Sequence, residues 1–258
     1  MNVEIWMSFA KAGGMLTHRT NLAGQLAIAT LLTWAIALLW LALVNGAAVR
    51  GWLHPTLSRK LIHTGTGPLY VLCWLLFPDS DLSRYLAVTV PLGLTLVFLA
   101  TGLGWIDNSD LVQSSTRHGK PAELLRGPLY YGIAFIVCTI LFWRNSPAGI
   151  LALMVMCGGD GLADIVGRRF GDRKLPFSPD KSWAGSAAML LGSFAFGIAF
   201  LTIFNTLGYF EPSLNGGRAV GLVGAIALIA TVVEALPFPD IDNITLTLAV
   251  VLLSLWWL

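Results

Sequence analysis

The sequence predicts an all-α, polytopic integral membrane protein: one domain, residues 1–258, built as a bundle of about eight transmembrane helices. Two observations predict it. Of the 258 residues 56% are hydrophobic and only 12% charged, about half the charged share of an average soluble domain. The apolar residues also fall in blocks long enough to cross a bilayer, which takes about 20 helical positions at 1.5 Å each. Formal charge is near balance, with 16 Lys and Arg against 14 Asp and Glu, so nothing points to nucleic acid as a partner.

Apolar runs place the spans near residues 22–44, 62–78, 86–105, 129–146, 148–166, 183–206, 219–236 and 243–258. The second span opens on polar residues, the fifth contains two aspartates and the eighth is short. The first 21 residues carry Lys11 and Arg19 without the Ser- and Arg-rich, acid-poor character of a transit sequence. The block after them is too long for a signal-peptide core. It is therefore expected to remain as the first span, and a chain that starts here is expected to need no organellar import. Cys73, Cys138 and Cys157 lie inside apolar blocks and form no CxxC or Cys/His cluster, so they read as small buried hydrophobes. Trp40, Trp52, Trp105, Trp143, Trp183, Trp256 and Trp257 fall near span ends, where the ring settles at headgroup level.

Eight spans put the connecting segments on alternating sides. One side carries Lys11, Arg19, Arg84, Arg144 and Arg218; the other carries the remaining eleven of the 16 basic residues. By the positive-inside rule the second side is cytoplasmic. Nearly every residue with chemical potential lies on that side, so an active face fed from the cytoplasm is expected.

The stretch GGDGLADIVGRRFGDRKLPFSPDKSWAG, residues 158–185, carries most of the functional signal. On a helix Asp160, Asp164, Gly167 and Arg168 share one face, with the carboxylates about 6 Å apart along the axis. An ionised Asp near a bilayer centre costs about 2.5–3.5 kcal/mol, so two of them demand a cation. Mg²⁺ suits one or two carboxylates completed by substrate phosphates, which makes Asp160 and Asp164 the candidate metal ligands. Gly158, Gly159 and Gly161 surround the first acid. Their backbone could approach a phosphate, although for the glycines alone close helix packing is the favoured reading. Arg168, Arg169, Arg173, Lys174 and Lys181 follow and suit a polyphosphate; as an alternative they only mark the cytoplasmic side.

Three further clusters lie on the same side. STRHGKPAELLRGPLYYG, residues 115–132, offers Arg117, Lys120, Glu123 and Arg126 ahead of a span that Pro128 can open. EALPFPDIDN, residues 234–243, offers Glu234, Asp240, Asp242 and Asn243 as oxygen donors for a metal or a ribose. SRKLIHTGTG, residues 58–67, sets Arg59, Lys60 and His63 on one helical face, where His63 could bind phosphate or shuttle a proton. The alternatives are basic flanks, a solvated turn and an inert interfacial histidine.

Taken in order between hydrophobic spans, RKLIHTGTGPLY, STRHGKPAELLRGPLYYG, GGDGLADIVGRRFGDRKLPFSPDKSWAGS and EALPFPDIDN closely resemble the phytol kinase branch of the polyprenol kinase family, whose relatives include farnesol and dolichol kinases. The resemblance covers residues 58–243. It implies a membrane kinase that uses CTP, or another nucleoside triphosphate, to phosphorylate an isoprenoid alcohol, phytol, in salvage toward tocopherol. The implied setting is a bacterial membrane, cyanobacterial included, or a plastid-type one. The family motifs fall on Asp160, Gly161, Asp164, Gly167, Arg168, Lys181 and Ser182, with Glu234, Asp242 and Asn243 behind them. The resemblance therefore implies Asp160 and Asp164 on Mg²⁺ and Lys181 with Arg168 on the polyphosphate.

Two alternatives stand beside this reading. A cytidylyltransferase of the CDP-diacylglycerol synthase type carries a similar aspartate, GRxFG and SPxKTxEG arrangement, but the His-Gly-Gly then Asp-Arg-x-x-Asp ending is missing here. A cation-coupled transporter could also hold intramembrane acids, although the basic loop from Arg168 to Lys181 argues against it.

Overall fold

The structure, a computed structural model, describes residues 22–236 and 241–258. Helix α1 (Leu22–Val49) leads to α2 (Pro55–Cys73), then α3 (Leu82–Ala87), α4 (Thr89–Gly102), the short α5 (Ser109–Ser115) and α6 (Gly127–Phe142). Helix α7 (Pro147–Met154) continues through a π-helical turn, Val155–Asp160, into α8 (Gly161–Phe170). An antiparallel hairpin, β1 (Lys174–Leu175) and β2 (Ser178–Ser182), precedes α9 (Trp183–Thr206), α10 (Gly216–Ala235) and α11 (Asp242–Trp257). Among the described residues the fold is all-α apart from the hairpin.

Each predicted span coincides with a helical segment. Among the described residues six segments are long and apolar enough to cross a membrane: 22–49, 82–102, 121–142, 147–170, 183–206 and 216–235. The other two fall short of that measure, α11 because it has 16 residues and α2 because Arg59, Lys60 and His63 occupy its first turns. The expected count of eight is therefore met by helices but not by length and apolarity.

The segment 147–170 is the axis of the bundle: 72% of its apolar window is buried, against 22–39% for the other five. In lipid no hydrophobic effect drives helices together, so close approach depends on small residues. The strongest pairing, α9 against α8 and the π turn, shows this directly. A Cβ on Gly192 would lie 2.6 Å from the Gly158 carbonyl oxygen, and one on Gly158 would lie 2.5 Å from the Phe196 ring. A Cβ on Gly185 would come within 3.1 Å of the Ala163 oxygen. Ser182 ends the hairpin and caps α9, its Oγ accepting from the Gly185 N–H at 3.1 Å.

At the far end Arg144 is a buried fastener, 3% exposed. It donates to the carbonyls of Trp74, Phe77 and Pro78 at 3.1, 2.6 and 3.2 Å, satisfying backbone acceptors of the turn that follows α2. Of the expected tryptophan anchors, Trp52, Trp105, Trp183 and Trp256 are exposed. Trp143 instead packs on Trp74 and Phe77, and Trp40 covers Gly65. All three cysteines are buried.

Gly192→Ala is expected to destabilise the protein by about 1–3 kcal/mol through overpacking against backbone that cannot yield. A Cβ at Gly221 meets open space, so Gly221→Ala is expected to cause no loss. Thermal midpoints of the two variants in the same detergent check the contrast.

Candidate functional site

The π turn and α8 bring both aspartates against the opening turns of α2. Asp160 is 8% exposed, and its Oδ2 lies 3.4 Å from Lys60 Nζ and 3.2 Å from His63 Nε2. Asp164 Oδ2 lies 3.8 Å from the same Lys60 Nζ, 2.8 Å from Arg168 Nε and 4.0 Å from an Arg59 guanidinium nitrogen. One ammonium thus reaches both carboxylates. The pairing follows from sequence: Arg59, Lys60 and His63 share one face of α2, and Asp160 and Asp164 sit one turn apart along the facing helix. A π turn is a recurrent device at functional sites, and here it ends on Asp160 itself.

A second layer comes from the other elements. Lys181, on β2, is paired with Glu234 at the end of α10. Burial disfavours the Lys181 ammonium, but the Glu234 carboxylate outweighs it and holds the lysine above its ordinary pKa. The Glu123 carboxylate accepts from the backbone N–H groups of Arg117 and His118 at 2.7 and 3.2 Å, so it shapes that loop. Asn243 Nδ2 donates to the Gly127 carbonyl at 3.2 Å, tying α11 to the start of α6.

A cavity of about 320 Å³ joins these pieces. It is lined by the charged Arg59, Lys60, Arg117, Arg126, Asp160 and Asp242 and by mostly apolar side chains of α1, α2, α4 and α6, with Thr66 and Thr95 among them. Of the expected site residues Asp160, Asp164, Arg59, Lys60, His63 and Arg168 form one cluster, with Lys181 and Glu234 as a neighbouring ion pair. Arg117, Glu123, Arg126, Asp242 and Asn243 line the same cavity.

Other expected residues make different contacts. Arg169 and Lys120 are exposed, as are Arg117 and Arg168, and the Arg169 guanidinium lies over the Phe170 ring. Ser182 is a helix cap. Gly158 and Gly159 are buried against Phe196 on one side and Ser193 and Met189 on the other, Gly161 lies against Thr64, and Gly167 faces Ser182 and Gly185. Gly158 and Gly159 lie in the π turn and Gly161 and Gly167 in α8, and at each of the four an added Cβ would meet a neighbouring residue. Asp240 lies outside the described residues.

Sequence reading missed Tyr131. Its hydroxyl donates to the His63 carbonyl at 2.6 Å and lies 3.4 Å from Cys157 Sγ, while its ring packs 4.4 Å from the imidazole. It locks His63 beside Asp160. The available signal was its place four residues after Gly127, on the cavity face of α6.

The family model described as the Cytidylyltransferase family matches residues 17–255. A probable chloroplastic phytol kinase of Triticum aestivum is 41% identical over 251 residues, covering 95% of this chain and 83% of the relative. Chloroplastic phytol kinase 1 of Arabidopsis thaliana is 44% identical over 205 residues, 79% of this chain and 67% of the relative. A chloroplastic farnesol kinase of Arabidopsis thaliana is 41% identical over 202 residues, 77% and 64% of the two chains. No solved structure gives a significant match.

Removing Lys60 leaves a buried carboxylate without its nearest cation, which typically costs about 3–5 kcal/mol. Lys60→Met is therefore expected to lower the thermal midpoint sharply, and adding Asp160→Asn to recover part of the loss. A double-mutant cycle on midpoints checks this; strictly additive losses would contradict the coupling.

Proposed function

The chain belongs to the cytidylyltransferase family, and we propose that within it this protein is an isoprenoid-alcohol kinase transferring the terminal phosphoryl group of CTP to phytol. The observation that carries the reading is a buried pair of acids, ringed by Lys60, Arg59, His63 and Arg168, at the charged end of a mostly apolar cavity. An amphipathic alcohol and a polyphosphate need those two surfaces side by side. The phytol and farnesol kinase names of relatives at 41–44% identity support the same substrate class.

Two carboxylates reached by one cationic atom are a donor set that fits Mg²⁺, which takes one or two carboxylates and fills the rest with phosphate oxygens and water. Asp160 and Asp164 would hold it, and it would supply neutralisation of the triphosphate. Phosphoryl transfer asks the protein chiefly for alignment and charge stabilisation. Arg59 and Arg168, at the rim, reach toward the phosphates. Lys181 exchanges its Glu234 partner for a phosphate oxygen, and Arg117 and Arg126 extend the cationic rim. Tyr131 and Asp160 fix His63 at the point where the cavity turns from polar to apolar, which is where the alcohol oxygen must sit. The four packing glycines and the exposed Arg169 and Lys120 have no part in this assignment.

In a photosynthetic host the product would feed phytol salvage toward tocopherol, with the active face turned to the compartment that holds the nucleotide. The basic side counted in the sequence supports the cytoplasm, or the equivalent face of a plastid-type membrane.

The family description favours one second reading, cytidylyl transfer, in which the alcohol oxygen attacks the α-phosphate and pyrophosphate leaves. Purified protein in detergent, given γ-labelled CTP and phytol, separates the two. Label in phytyl phosphate with release of CDP is expected. Label in pyrophosphate with cytidine on the lipid would overturn the kinase reading.

In the same assay Asp160→Asn and Asp164→Asn are each expected to lower kcat by on the order of 10²–10³-fold while the protein stays in the membrane fraction. Chelation of divalent ions is expected to abolish turnover and added Mg²⁺ to restore it. Lys181→Ala is expected to raise KM for CTP more than KM for phytol.

A further inference from the structure

We infer that the apolar part of the cavity is a shaft that takes the isoprenoid tail end-on, and that Tyr70 and Phe135 form the floor that sets how long a tail it accepts. The inference rests on the kinase reading and adds to it the residues that select the alcohol.

The shaft runs down from the acid cluster between α1, α2, α4 and α6. Along α2 its wall passes from Lys60 and His63 to Tyr70. The seven residues from His63 to Tyr70 span roughly 10 Å of helix. Along α6 the wall runs from Pro128 past Tyr131 to Phe135, and α4 runs the other way, so Val90 and Pro91 are its deepest contributions. Tyr70, Val90 and Phe135 are 4%, 2% and 3% exposed and close the bottom together.

The floor is rigid for reasons written in the sequence. Pro91 has no N–H, so the Ala87 carbonyl four residues before it lacks its helical donor. The Tyr70 hydroxyl supplies one at 3.1 Å and lies 3.1 Å from Thr139 Oγ1. The Tyr70 ring stands edge-on to Phe135, with centroids 5.7 Å apart, and to Trp74, 6.0 Å apart. A side chain held by two hydrogen bonds and two ring contacts cannot swing aside for a longer tail, as a methionine or leucine could.

The shaft also has a side. Helices α1 and α4 are joined near the floor, where Trp34 donates to Thr89 Oγ1 at 3.3 Å and lies over Gly93. Above that fastening Ala37 and Leu41 of α1 face Leu94 and Phe98 of α4 across the cavity, with Val97 turned partly outward. A membrane-dissolved alcohol can enter sideways there and present its hydroxyl to His63 and Asp160. A wall that is apolar apart from Thr66 and Thr95, with its charged groups at one end, measures chiefly length, and each methylene more or less in such a pocket changes kcat/KM by about tenfold or more.

The test is a chain-length profile on the purified full chain: kcat/KM with CTP for farnesol, geranylgeraniol, phytol and a dolichol. Phe135→Ala lowers the floor and is expected to move the preference toward longer alcohols, changing the long-to-short ratio by at least about tenfold. Leu94→Trp fills the shaft from α4 and is expected to move the ratio the opposite way. Tyr70→Phe keeps the ring and is expected to leave the profile in place while lowering the thermal midpoint. Equal losses for all alcohols in both Phe135→Ala and Leu94→Trp, or shifts in the same direction, would overturn the floor. If the unmodified protein phosphorylates none of the alcohols, the kinase reading fails instead, so the two failures are distinguishable.

Discussion

The structure depends on the attraction between one lysine and two buried acids. Asp160 and Asp164 are carried into the bundle on its most buried helical segment, where an uncompensated charge is among the most costly features a membrane protein can hold. Lys60 answers both from α2, and His63, Arg59 and Arg168 complete the ring. Breaking such a set costs far more than the set contributes. The cluster therefore acts less as a source of stability than as a demand: some cation must always be present between α2 and α8. In the proposed function a divalent metal would meet that demand in place of lysine, and the phosphate oxygens would complete its coordination, in a low-dielectric setting where charge counts heavily.

Everything that surrounds the acids serves their placement. Gly158, Gly185 and Gly192 let α9 press against the π turn and α8 until backbone meets backbone, fixing the face that carries the carboxylates. Tyr131 holds the histidine by its own carbonyl. The hairpin brings Lys181 back over the site after α8 has left it, and Ser182 at once starts α9. Arg144 closes the opposite end by satisfying three carbonyls beyond α2. The acid cluster and its basic partners sit at one end of the bundle and Arg144 fastens the other, with close packing along the length between them.

Much of this was legible in the sequence. The helices follow from apolar run length, because a bilayer sets a minimum span that no other constraint blurs. The acid pair and its basic partners follow from four-residue spacing, which holds in any helix. What stayed hidden depends on rotation and depth. The glycines after Met156 read as phosphate cradle or packing surface, and only the position of Phe196 and Ser193 decides. Trp40 and Trp143 look like interfacial anchors by position, yet each covers an interior residue. The hairpin between Lys174 and Ser182 is too short and polar to announce itself by alternation. Tyr131 and Tyr70 act through single hydroxyl contacts to carbonyls on other helices, which no spacing within one helix encodes.

The central claim is that the two aspartates together hold a divalent ion shared with the nucleotide. Mn²⁺ binding, followed by electron paramagnetic resonance on purified protein with and without a non-hydrolysable CTP analogue, addresses it without reference to turnover. One tight Mn²⁺ is expected that depends on the nucleotide and is lost in both Asp160→Asn and Asp164→Asn. Undiminished nucleotide-dependent Mn²⁺ binding in either variant would contradict it.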